Sequence, residues 1–66
     1  MNRLKEIREN RGLSQWQLGK TTDIYPQKIS DFERGRRDLR LNEAKRVADF
    51  LGVNLAELVE HRKEVS

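Results

Sequence analysis

Leu13-Ser14-Gln15-Trp16-Gln17-Leu18-Gly19-Lys20-Thr21-Thr22-Asp23-Ile24-Tyr25-Pro26-Gln27-Lys28-Ile29-Ser30-Asp31-Phe32-Glu33-Arg34-Gly35 is the stretch that decides how this chain folds. Ser14 offers a side-chain oxygen to the free amides that open a helix. Gln17, three residues later, completes the pattern of a capping box. A short helix over 15–21 follows. Thr22-Asp23-Ile24 reads as a turn, because Asp is one of the few non-glycine types that accept a left-handed backbone. Tyr25-Pro26 opens another helix, about 26–34, since the missing N–H of proline costs nothing in a first turn. Ile29 and Phe32 point inward along it, and Gly35 ends it.

Two short helices joined by a tight four-residue turn, 22–25, make a helix-turn-helix arrangement. The first packs across the second, so that the second projects and is narrow enough to enter a major groove about 12 Å wide. The crossing needs a small residue, and Gly19 stands there. It needs apolar contacts, and Leu18, Ile24, Ile29 and Phe32 supply them.

Outward from this pair the pattern stays helical, with no sustained period-2 alternation. A first helix over about 2–11 places Leu4, Ile7 and the stem of Arg8 or Arg11 on one side. Gly12 ends it, glycine being at ease in the left-handed backbone of a helix terminus. Arg36-Arg37-Asp38-Leu39-Arg40 is a basic connector. A fourth helix, 41–51, carries Leu41, Ala44, Val47, Ala48 and Leu51 as an amphipathic stripe and stops at Gly52. Asn54 caps a fifth, about 55–62, with Leu55, Leu58 and Val59 on one side. The expected fold is all-α with five helices.

Composition sets the outer bounds. The chain has 66 residues, no cysteine and a hydrophobic fraction of 35%. That suits one small domain over 1–66 with its core in 3–59, since a chain of this size buries only roughly 60% of its unfolded surface. Without cysteine there is neither a disulfide framework nor a thiolate zinc site. His61 is the only histidine, and it reads as a solvated helix-end residue. Ser14 and Ser30 have no neighbouring His to activate them, and Asp31 and Glu33 face different sides of their helix. The expectation is therefore no enzyme, no metal and no cofactor. No stretch approaches the roughly 18 apolar residues of a membrane span, and no leader opens the chain; a cytoplasmic protein without a membrane partner is expected.

Charge adds a direction. Residues 1–46 carry twelve basic and seven acidic side chains, and 47–66 two basic and four acidic. Nine of the basic residues are arginine, whose fork fits phosphates and base edges. A basic front with a mildly acidic end fits a nucleic-acid binder; solvated helix faces are the plainer explanation.

Leu13-Ser14-Gln15, Leu18, Thr22, Ile24, Ile29-Ser30, Glu33-Arg34-Gly35, Leu51-Gly52-Val53 and Leu55-x-x-Leu58 together resemble the phage repressor/Cro-like helix-turn-helix family, often called the Xre family. The likeness runs in register over 3–59. It implies a five-helix repressor-like domain that binds double-stranded operator DNA, usually as a symmetric homodimer. It places Pro26, Gln27, Lys28 and Asp31 against base edges and Gln15 on a phosphate. It sets Arg34, with Arg36 and Arg37 of the connector, on the sugar-phosphate backbone, and joins Arg8 to Glu33 as a buried structural ion pair. The sequence departs from the family pattern at several points. Pro26 cannot hydrogen-bond a base, so direct readout rests mostly on Gln27 and Lys28, with Asp31 able to accept from cytosine. Asp23 replaces the usual turn glycine, Gly19 the usual alanine, and Leu39 the usual proline.

Trp16 and Tyr25 could touch the DNA backbone. Their plainer roles are packing over the first helix and covering the start of the third. Leu55, Leu58 and Val59, with Phe50 or Val53, could either complete the core or form a dimerisation end over 50–62. The expected function is a sequence-specific transcriptional regulator, in the first place a repressor, that reads the major groove with helix 26–34. The alternatives are an antitoxin, a restriction–modification controller, or a helix-turn-helix that binds a protein partner.

Overall fold

The computed structural model describes residues 3–58, and every regular element among them is helical. The helices are α1 (Leu4–Asn10), α2 (Gln15–Thr22), α3 (Pro26–Glu33), α4 (Leu41–Leu51) and α5 (Leu55–Leu58). The fold is all-α. α4 has the bounds read from its stripe, whereas α1 is shorter than 2–11 at both ends. The expected continuation of α5 to 62 lies outside the described residues.

Local chemistry accounts for the helix ends around the central pair. The Ser14 hydroxyl accepts from the Gln17 amide at 3.0 Å, and the Gln17 side chain accepts from the Ser14 amide at 2.8 Å. That reciprocal box starts α2. α2 stops at Asp23, whose φ of 61° and ψ of 44° are left-handed. The Ile24 amide then donates back to the Gly19 carbonyl at 2.8 Å. Pro26 occupies the first turn of α3.

Gly19 explains how closely α2 and α3 approach. A Cβ added there would lie 2.4 Å from the Ile24 carbonyl oxygen and 3.2 Å from the Pro26 nitrogen. Both neighbours are backbone, so neither can swing aside. The absent side chain is what lets the turn fold back over α2.

One core cluster holds the described helices together. α1 contributes Leu4 and Ile7, α2 Leu18, and α3 Ile29 and Phe32. Ala44, Val47, Ala48 and Leu51 form the inner stripe of α4. Leu41, expected to begin that stripe, is 65% exposed. It sits in the first turn, where α4 leaves the connector, and half-buried Leu39 packs against the core instead.

Leu58 corrects a second expectation. Its side chain is fully buried in the same cluster, so of the two roles open to it the structure shows the core one. Full burial of a leucine is worth about 1.5–3 kcal/mol, and this buried side chain fastens α5 to the rest. Leu55 and Val53 are half-buried against the core, and Phe50 is exposed. Val59 lies outside the described residues. Two polar ties complete the frame: Arg46 Nε donates to the Thr22 carbonyl at 2.9 Å, and the Thr22 hydroxyl donates to the Leu18 carbonyl at 2.7 Å.

Candidate nucleic-acid interface

α3 has an anchored side and an open side. Ile29 and Phe32 bury one side. Gln27 and Arg34 are exposed on the other, and Pro26, Lys28 and Asp31 are half-buried. Beyond α3, Arg36 and Arg37 are exposed, so three arginines flank the end of the helix. The result is a helix anchored along one side by Ile29 and Phe32, with Gln27 exposed near its start and cations at and beyond its C-terminal end.

The orientation of α3 is secured from beneath by a carboxylate. Glu33 has a side chain only 3% exposed. It accepts from Arg8 Nε at 2.7 Å and from the second Arg8 terminal nitrogen at 3.1 Å. Arg8 also donates to the Leu13 carbonyl at 2.6 Å. The structure thus brings Arg8 and Glu33 together in a two-pronged pair that joins α1, the α1–α2 connection and α3. Bonding to Glu33 outweighs the cost of burial and raises the Arg8 pKa further, so the guanidinium stays charged.

Gln15 joins this centre. Its side-chain nitrogen donates to Glu33 at 3.0 Å. The side chain expected on a phosphate thus holds an internal bond to the buried carboxylate. α2 is tied to α3 as a consequence.

The expected base readers are also partly engaged within the chain. Gln27 donates to Asp31 at 3.1 Å across one helical turn. Arg37 Nε lies 3.9 Å from the other Asp31 oxygen. The Asp31 side chain is only 18% exposed, but Gln27 and Arg37 face water, and pairs with such exposed partners contribute little and exchange readily. Lys28 differs. Its ammonium donates to Glu43 of α4 at 2.8 Å, and both side chains are mostly covered. The structure turns Lys28, expected at a base edge, toward α4, where a short, partly desolvated ion pair holds it.

Trp16 and Tyr25 stand out on the surface. Trp16 is 59% exposed and Tyr25 is 82% exposed. Lys20 sits over the Trp16 ring, 4.7 Å from its centroid, a cation–π geometry. Trp16, Lys20, Tyr25 and Pro26 line an open groove of about 500 Å³ at the α2–α3 turn. Lys20 was not singled out from sequence, although its i,i+4 spacing from Trp16 carries the signal. Glu43 was also missed. It lies three residues after the α4 cap Arg40, whose amide donates to it at 2.9 Å.

Among the described residues no group of His, Cys, Asp or Glu could hold a metal ion, and no helix is long and apolar enough to cross a membrane. No curated protein sequence matches the chain. A family model described as helix-turn-helix matches residues 4–58. That span takes in α1 to α5, the capped α2, the left-handed turn and α3, and the chain belongs to the Cro/C1-type helix-turn-helix family of DNA-binding regulators.

Proposed function

We propose that this protein is a sequence-specific repressor that occupies operator DNA with α3 in the major groove. The observation that carries the reading is the open side of α3, with exposed Gln27 near its start and exposed Arg34, Arg36 and Arg37 at and beyond its end. Gln27 reads a base edge, with adenine as its natural partner. Asp31, released from Gln27 when that amide turns to DNA, accepts from cytosine. Pro26 offers an apolar surface. Arg34, Arg36 and Arg37 take phosphates, and the indole N–H of Trp16 and the hydroxyl of Tyr25 add backbone contacts beside the turn. The backbone amides at the start of α2 remain a phosphate donor even with the Gln15 side chain engaged.

A homodimer accompanies this reading, with recognition helices one DNA turn apart, about 34 Å. With Leu58 in the core, exposed Phe50 and half-buried Leu55 and Val53 are the residues that support it. A cytoplasmic, nucleoid-bound location follows. Binding of Gln27→Ala and Arg36→Ala proteins to matched and single-substituted duplexes tests the assignment. Gln27→Ala should relax preference at one base pair by about 1–3 kcal/mol, whereas Arg36→Ala should weaken all duplexes alike. Equal weakening of every duplex by Gln27→Ala would contradict the readout role.

The aromatic groove favours one second reading, a helix-turn-helix that binds a protein. A salt-insensitive complex formed in the absence of DNA binding would support it.

A further inference from the structure

We propose that Glu43 is a positioning residue for DNA recognition: it withholds the Lys28 ammonium from the DNA and so limits the sequence-independent part of binding. The inference rests on the DNA reading above. Its ground is the way the Glu43 carboxylate is shared. One oxygen accepts from the Arg40 backbone amide at 2.9 Å, at the cap of α4. The other accepts from Lys28 Nζ at 2.8 Å. The Arg40 bond fixes where the carboxylate points, and the carboxylate fixes Lys28.

Lys28 is set apart from its cationic neighbours. Arg34 and Arg36 are exposed, and Arg37 is 57% exposed beside Asp31. The Lys28 and Glu43 side chains are only 20% and 15% exposed. A pair at this depth is less screened than one in open water, and a charged hydrogen bond of this length is among the stronger ones. The bond from Lys28, more than the amide of Arg40, holds the Glu43 carboxyl below the usual carboxylate range.

The consequence for DNA follows from counterion release. Each cation that neutralises a phosphate adds about 0.9 to the salt slope on duplex DNA, whatever the sequence. A latched Lys28 adds nothing to that term. A freed Lys28 on α3 raises binding to random duplex and steepens its salt dependence. Glu43 thus keeps affinity dependent on the remaining readers, and its contribution is to selectivity.

The test compares wild type, Glu43→Gln and the double variant Glu43→Gln/Lys28→Met on a random duplex over a salt series. Glu43→Gln retains an oxygen for the Arg40 amide and loses the charge that holds Lys28. Its salt slope should steepen by about 0.9, roughly a threefold to fourfold larger change in affinity between about 50 and 200 mM salt. The double variant should lose that gain. Thermal melting followed by circular dichroism establishes that each variant is folded at the binding temperature. An unchanged slope in folded Glu43→Gln would overturn the proposal. So would a gain that persists without Lys28, because it would then come from removing Glu43 repulsion alone. If wild type itself shows no salt-dependent binding, the DNA reading falls first and the latch with it.

Discussion

At the scale of single residues, the geometry of the α2–α3 turn depends on Gly19 and Asp23. In an ordinary helix, glycine to alanine gains up to about 1 kcal/mol. Here the added Cβ would meet the Ile24 carbonyl at 2.4 Å. Overpacking of this kind costs about 1–3 kcal/mol, and the clash involves backbone. Gly19→Ala is therefore expected to lower stability despite its better helix propensity, as a reduced urea midpoint at unchanged slope. A more stable Gly19→Ala protein would mean that the turn has room to move. Asp23 is the converse case. Its left-handed φ of 61° is one that glycine adopts without steric cost. Asp23→Gly should hold or slightly raise stability, within about 1 kcal/mol, while Asp23→Val should lower it.

At the scale of elements, two carboxylates fix how the helices meet. Glu33 joins α1, α2 and α3 through Arg8 and Gln15. Arg8→Met would leave that carboxylate buried with its guanidinium bonds gone. Removing one partner of a buried pair costs about 3–5 kcal/mol, so Arg8→Met should unfold at much lower denaturant concentration, and an exposed control such as Arg36→Met should not. Glu43 joins α3 to α4, and its effect depends on pH. Its carboxyl lies below its ordinary value of about 4.5, first because of Lys28 and then because of the Arg40 amide. A lowered folded-state pKa gives stability that is complete above the ordinary value. That stability is lost as pH falls through the lowered one. Wild type should therefore lose its stability advantage over Glu43→Gln on acidification from about pH 6 to about pH 3. A constant difference between the two proteins would mean that the pair contributes nothing to the fold.

These elements also show what a sequence can and cannot disclose. The Ser14–Gln17 box, the Asp23 turn, Pro26 and the inward pair Ile29 and Phe32 were legible because each depends on neighbours three or four residues away. Arg8 with Glu33 was suggested only by the family resemblance, since their spacing of 25 residues has no local signature. Lys28 with Glu43, and Arg46 with the Thr22 carbonyl, depend on where the connector 36–40 delivers α4. No periodicity encodes that path. Leu58 was ambiguous for another reason, because the same apolar stripe suits a core or an interface until α5 is docked.

At the scale of the molecule, the charge distribution and the open side of α3 bear on one activity. The basic part of the chain includes α2, α3 and the connector, and the exposed Arg34, Arg36 and Arg37 flank α3. Affinity for DNA should fall steeply with salt, as phosphate contacts release counterions, and Arg36→Ala should flatten that dependence for every sequence. The most direct measurement is fluorescence-anisotropy binding to the DNA upstream of the protein's own gene, against a scrambled duplex, at several salt concentrations. The account predicts a steep salt slope on both and at least about a thousandfold preference for the native DNA. No binding to either duplex at low salt would contradict it.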